Sequence, residues 1–158
     1  MPTEDKDSPL QSIAAWEQFS CVVGKVIKSC GMVEVHVNHF IRSLGKDPIL
    51  VKHALKLPLN RRIQVLRDLI LNEPELKDSE VRSQLVCNDL EKIAKERNII
   101  AHNPVVVAAP PTNPRIIDLR SDSPNPKEYT EADLEAFHQR IWEAITTLLK
   151  NKVKSLWA

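Results

Sequence analysis

Apolar residues recur every three or four positions over most of this chain, which is the spacing of one face of an α-helix. The first such run covers residues 10–44 and stops at Gly45. Ser8 and Pro9 precede it as a helix cap and a proline at the first helical position. The pattern predicts one long helix, or two helices joined near Gly31.

The middle of the chain predicts three shorter helices, each opened by a residue that commonly caps a helix and each carrying apolar residues at helical spacing. Their predicted limits are Asp47 to about Lys56, Asn60 to about Leu71, and Asp78 or Ser79 toward Ile100.

The composition changes after Pro104, where five further prolines and two short β-branched runs, 105–109 and 115–118, occur before Tyr129. We expect an irregular loop or hairpin over 104–129. Thr130 and Asp133 then resemble a capping box, although Glu or Gln is the usual partner, and a last helix follows toward Trp157. The predicted fold is therefore all-α: an antiparallel bundle of four to five helices with a short excursion before the last helix.

The chain has 158 residues, 42% of them hydrophobic and 27% charged, as expected for one soluble domain, with residues 1–8 as a disordered tail. No apolar run approaches the roughly 20 residues that span a bilayer, and the acidic start does not resemble a signal peptide. We expect a cytoplasmic protein with no membrane partner. Cys21, Cys30 and Cys87 are odd in number and far apart, so reduced thiols are predicted.

Positive charge is concentrated in residues 25–67, which contain nine lysines and arginines against Glu34 and Asp47, although the whole chain has a net charge of only +1. Such a stretch suits phosphate binding, and it equally suits the solvated faces of two or three helices. Both interpretations stay open at this point.

Candidate metal and cofactor sites are sparse. Gly24 and Lys25 lack the other residues of a phosphate-binding loop. His36 and His39 are three apart on a helix and could share a metal, but no second ligand set stands at a convincing spacing elsewhere. We therefore expect neither a metal nor a cofactor.

The stretch ERNIIAHNP, residues 96–104, carries the strongest candidate chemistry. On a helix, Asn98 and His102 share a face because they are four residues apart, and Arg97 lies beside that face. An imidazole can transfer a proton near neutral pH, and a guanidinium can neutralise phosphate oxygens. The alternative is structural: such residues also interact favourably with the exposed carbonyls of a helix end, and Asn103-Pro104 is an ordinary stop signal.

Arg97-Asn98-Ile99-Ile100-Ala101-His102 resembles the Arg-x4–6-His motif of the HEPN superfamily (higher eukaryotes and prokaryotes nucleotide-binding), which often has a polar residue after the arginine. The resemblance covers roughly residues 10–154, but only the motif matches residue by residue. It implies metal-independent RNA cleavage by a homodimer or pseudodimer in which two motifs meet, giving 2′,3′-cyclic phosphate and 5′-hydroxyl ends.

By this resemblance, His102 is the acid/base group or orients the 2′-hydroxyl, Arg97 stabilises charge on the phosphate, and Asn98 positions either. Glu34 and Asn38, four apart on the first helix, are candidates for lining the same cleft. The implied partners are RNA, a second copy of the chain and, for a toxin or defence protein, a cognate antitoxin or inhibitor. A non-catalytic module for dimerisation, nucleotide binding or protein binding is the alternative function.

Overall fold

The computed structural model describes residues 9–73, 80–103, 105–106 and 113–156, with five helices and three short strands in that part of the chain. In chain order these are α1 (Pro9–Leu44), α2 (Pro48–Ala54), α3 (Leu59–Leu71), α4 (Glu80–His102), β1 (Val105–Val106), β2 (Arg115–Ile117), β3 (Glu128–Tyr129) and α5 (Glu131–Leu156). The predicted all-α bundle with a small excursion before its last helix is confirmed. The predicted tail at residues 1–8 lies outside the described residues.

The first helix is continuous, so the prediction of one long helix rather than two is the correct alternative. Gly31 interrupts nothing, because the buried stripe continues on both sides of it. That stripe consists of Phe19, Val22, Val26, Val33, Val37 and Ile41. Gly45 then allows a close turn into α2, since a Cβ atom there would collide with the side chain of Val51 and the carbonyl oxygen of Ile41.

The predicted start of α2 is confirmed in atomic detail. The Asp47 carboxylate accepts hydrogen bonds from the backbone N–H groups of Ile49, at 2.8 Å, and Leu50, at 3.3 Å. These bonds satisfy donors that have no partner inside the helix. The helix ends at Ala54 and is therefore slightly shorter than the predicted helix, which extended to about Lys56.

The predicted N-cap of α3 is wrong. The helix begins at Leu59 with Pro58 as its cap residue, so Asn60 lies inside the first turn. The carbonyl of Pro58 accepts hydrogen bonds from the N–H groups of Arg61, at 2.9 Å, and Arg62, at 3.0 Å. A backbone carbonyl therefore starts the helix without a side-chain cap. The predicted end is confirmed, with Asn72 at the C-cap position.

The predicted loop at 104–129 contains a small antiparallel sheet of order β1-β2-β3, in which Val105 pairs with Ile116 and Ile116 with Tyr129. Ile116 and Tyr129 are buried, so one face of the sheet extends the core. Residues 104 and 107–112, which include the last three positions of the predicted β-branched run at 105–109, lie outside the described residues, as do the proposed caps Asp78 and Ser79.

The capping box at the start of α5 is confirmed. The Asp133 carboxylate accepts hydrogen bonds from the backbone N–H of Thr130, at 2.9 Å, and from its hydroxyl, at 2.7 Å. The Thr130 hydroxyl in turn accepts a bond from the backbone N–H of Asp133, at 3.3 Å. Aspartate thus performs the role that Glu or Gln usually has.

The helices share one core, and their side-chain contacts show their relative directions. α4 and α5 are antiparallel, because Glu96 meets Arg140 while the earlier Leu85 shares a groove with the later Thr147. α1 and α5 run in the same direction, because Gln18 meets Glu131 and Ser29 meets His138. This pair departs from a strictly antiparallel bundle.

Candidate functional site

The last turns of α4 carry the Arg97, Asn98 and His102 side chains. The helix extends through His102, two residues further than the apolar pattern alone indicates, so the three residues occupy continuous helix. Asn98 and His102 are exposed, and Arg97 is half-buried. The predicted shared face of Asn98 and His102 is therefore a solvent-facing surface of the bundle.

Arg97 is bonded to the next residue of its own helix and acts electrostatically on α1. Its Nη1 donates a hydrogen bond to the Oδ1 of Asn98 over 3.2 Å. Burial raises the pKa of the Cys30 thiol in α1 to about 11, and the positive charge of Arg97 acts in the opposite direction. The charge of Arg97 is thus near enough to Cys30 of α1 to act on its thiol.

His102 itself has no hydrogen bond or ion pair with any other residue that the structure describes. Its ring is exposed in the last turn of α4. Within a single chain, no such bond joins it to Arg97 or Asn98 among these residues. The motif therefore presents a half-buried guanidinium and an exposed imidazole that lie five residues apart in one helix and are not directly bonded to each other.

Asn103 fixes the backbone directly after His102. Its Nδ2 donates to the carbonyl of Ile99 at 2.9 Å and to the Asp118 carboxylate at 3.3 Å, and its Oδ1 accepts from the N–H of Leu119 at 3.0 Å. The side chain thus closes the helix end and ties it to the turn after β2. From the sequence alone Asn103 is only a stop signal, because these partners are 15 and 16 residues away in the chain.

Glu34 and Asn38, predicted to line the cleft, are brought together by a residue that sequence analysis did not select. Arg62 of α3 donates through Nη1 to the Oδ1 of Asn38 at 2.6 Å and through Nη2 to the carboxylate of Glu34. The Arg62 side chain is only 9% exposed, whereas the Glu34 side chain is 42% exposed. Its long side chain and the spacing of Glu34 and Asn38 were the only signals in the sequence for this arrangement.

The Arg97 motif lies on α4 and the Glu34–Asn38 pair on α1, and Cys30 of α1 relates the two by position. Cys30, which senses the charge of Arg97, and Glu34 are four residues apart, so they share one face of the helix. No ion pair or hydrogen bond links Glu34 with Arg97 or His102 among the described residues. Glu34 and Asn38 are therefore neighbours of the motif by position, without a direct bond to it.

Glu96, the residue before Arg97, anchors the opposite side of α4. Its carboxylate pairs with Arg140 of α5 at 2.7 Å and with Lys127 at 3.4 Å, and its side chain is only 15% exposed. Lys127 also lies over the ring of Tyr129, 4.8 Å from its centroid. These contacts join α4, α5 and the small sheet, and they fix the rotation of α4 about its axis.

The basic stretch is only partly available for an anionic ligand. Arg62 is buried against Glu34, and Arg67 is paired with Glu91 at 3.0 Å. The other seven cations of the stretch are exposed: Lys25, Lys28, Arg42, Lys46, Lys52, Lys56 and Arg61. Lys46, although exposed, lies 3.8 Å from the Glu73 carboxylate, so three of the nine positive charges are paired with a carboxylate within the chain.

The described side chains include no group of three or more His, Cys, Asp or Glu residues that could hold a metal ion. Burial and the neighbouring charge of His39 lower the pKa of His36. No helix in the described part of the chain is both long and apolar enough to cross a bilayer.

In comparisons with protein-family models, curated proteins and solved structures, no match to this chain was found.

Proposed function

We propose that this protein is a metal-independent endoribonuclease in which His102 and Arg97 act on the phosphate of the cleaved bond. The observation that carries the proposal is that one helix end presents both an exposed imidazole, with no hydrogen bond or ion pair among the described residues, and a guanidinium bonded to Asn98. A free imidazole can reach a substrate proton, and an anchored guanidinium requires little rearrangement to meet a phosphate.

The reaction is attack of the ribose 2′-oxygen on the adjacent phosphorus. The 2′-hydroxyl loses its proton to a base, a 2′,3′-cyclic phosphate forms, and the bond from phosphorus to the 5′-oxygen breaks. The leaving 5′-oxygen takes a proton to become a hydroxyl. His102 serves as the acid/base group, Arg97 stabilises the charge that develops on the phosphate, and Asn98 holds Arg97.

Support for a homodimer comes from the number of groups that the reaction uses. One motif supplies one imidazole, whereas the reaction benefits from both a base and an acid. A two-fold dimer would supply two of each from the same surface of two chains.

The test is incubation of the purified protein with mixed RNA in excess EDTA, followed by analysis of the new ends. We expect cleavage with 2′,3′-cyclic phosphate and 5′-hydroxyl ends. His102→Ala should lower the rate by about 10²- to 10⁴-fold, and Arg97→Ala by about 10²- to 10³-fold. His53→Ala, which removes another exposed histidine, is the matched control. Wild-type cleavage by a correctly folded His102→Ala protein would disprove the assignment.

A non-catalytic binding module is the second candidate. Arg62 and Arg67 are each paired with a glutamate of the chain. This pairing favours the binding module, because it reduces the positive charge available for RNA backbone contacts. In that case the protein would bind a nucleotide or protein partner while mixed RNA stayed intact under all ionic conditions.

A further inference from the structure

Arg62 is an unusual residue to bury. It is 7% exposed, and its Nε is buried with no hydrogen-bond partner among the described residues. A buried donor without an acceptor costs stability and calls for an explanation. The Nε atoms of Arg67 and Arg115 share this cost, but in the described part of the chain Arg62 is the one charged residue that is itself buried. The two bonds that Arg62 does make both end on polar side chains of α1, Glu34 and Asn38.

These bonds determine which atoms Glu34 and Asn38 present to a ligand. A guanidinium contains only donors, so Asn38 must turn its amide oxygen toward Arg62 and its NH2 group away from it. Arg62 binds one oxygen of the Glu34 carboxylate, which leaves the second oxygen of this half-exposed side chain as an acceptor. A carboxylate acceptor and an amide donor therefore stand one helical turn apart on one face of α1.

We propose that Glu34 and Asn38, oriented by Arg62, form a base-recognition subsite for guanine. The guanine edge places two N–H donors, on N1 and N2, beside the acceptor O6. The free oxygen of the Glu34 carboxylate accepts from one donor, the oxygen bound to Arg62 accepts from the other through its remaining lone pair, and the amide of Asn38 donates to O6. Adenine offers a donor next to an unprotonated ring nitrogen instead, so it cannot make the same set of bonds.

The neighbouring charges place the base here and the phosphate elsewhere. The Glu34 carboxylate would repel a phosphate. Arg97 of α4, whose positive charge acts on Cys30 one turn before Glu34 in α1, would attract one. The inference deepens the proposed function and rests on it for the class of substrate. Arg62 is a positioning residue, because it acts on the ligand through Glu34 and Asn38.

The experiment measures binding of guanosine, inosine and adenosine 3′-monophosphates to the full chain by calorimetry. Guanosine 3′-monophosphate should bind about ten- to a hundredfold more tightly than the adenosine compound. The inosine compound, which lacks the N2 amino group, should be intermediate. Equal affinities for all three, or no binding of any, would overturn the subsite.

Three variants test the named roles. Glu34→Gln and Asn38→Ala should each reduce the ratio of guanosine to adenosine affinity toward one, and Glu17→Gln, at another exposed position of α1, should leave it unchanged. Arg62→Lys should reduce the same ratio while circular dichroism confirms folding. A full ratio in the folded Glu34→Gln protein would refute the proposal even if Arg62→Lys fails to fold.

This binding assay does not depend on cleavage. Guanosine preference in a protein that leaves RNA intact would support the subsite and reject the ribonuclease. RNA cleavage with equal binding of all three nucleotides would support the ribonuclease and reject the subsite.

Discussion

Single side chains at the end of α4 divide into anchored and accessible groups. Asn103 is 9% exposed and bonded on several sides, while His102, directly before it, is exposed. An accessible acid/base group on a fixed backbone loses little freedom when it meets a substrate. The anchoring of Asn103 is therefore the physical basis for the position of His102.

Asn103→Ala should lower the free energy of unfolding by about 1–3 kcal/mol, because it leaves the N–H of Leu119 without its acceptor and the helix end without its side-chain bond. Urea denaturation measures this change. Asn98→Ala is the matched control, since Asn98 is exposed and bonds only to Arg97 among the described residues. Equal stabilities of the two variants would contradict the anchoring role.

The three thiols should differ in reactivity. Cys21 is exposed, whereas Cys30 and Cys87 are buried, and burial raises the pKa of each buried thiol to about 11. Because the thiolate is the reactive species, a thiol reagent near pH 8 should modify Cys21 quickly and the other two only after unfolding. Cys21→Ser should abolish the fast phase. A fast phase that survives this substitution would show that Cys30 or Cys87 is accessible in the folded protein, which contradicts their burial.

At the scale of single elements, the stability that the capping box gives to the start of α5 depends on pH. Backbone and side-chain hydrogen bonds from Thr130 lower the pKa of Asp133 below its ordinary 3.8. The ionised carboxylate therefore adds stability that is fully present above pH 3.8 and is lost as the pH falls through the lower folded-state pKa.

Asp133→Ala should destabilise the protein more at neutral pH than in strong acid, so the pH dependence of its unfolding free energy should be flatter than that of the wild type. Urea titrations over this range measure it. Glu135→Ala, at an exposed position one turn into α5, should keep the wild-type slope. Parallel slopes for Asp133→Ala and the wild type would exclude the capping box as a source of acid sensitivity.

The helices were predictable because their signals are local. The Asp47 cap and the Thr130–Asp133 capping box both involve residues within three positions of each other. β3 was not predictable, since Glu128-Tyr129 is too short to show a strand pattern and is defined only by its pairing with β2. The bond from Arg62 to Glu34 spans 28 residues and depends on how α3 packs on α1, which no local pattern specifies.

At the scale of the whole molecule, the described part of one chain leaves Arg97 and His102 without a direct bond to each other. A shared site would explain this, because the histidine of one chain could act with the arginine of the other. Since a mixed dimer still supplies one acid/base imidazole and one charge-stabilising guanidinium, a mixture of His102→Ala and Arg97→Ala chains should recover a small part of the RNA cleavage that each lacks alone. His102→Ala mixed with the double variant is the control, because no dimer of that mixture contains an imidazole from this position. Sedimentation should show dimers in every sample. Full specific activity of a monomer at high dilution, or failure of the first mixture to recover activity despite subunit exchange, would reject a composite site between two chains.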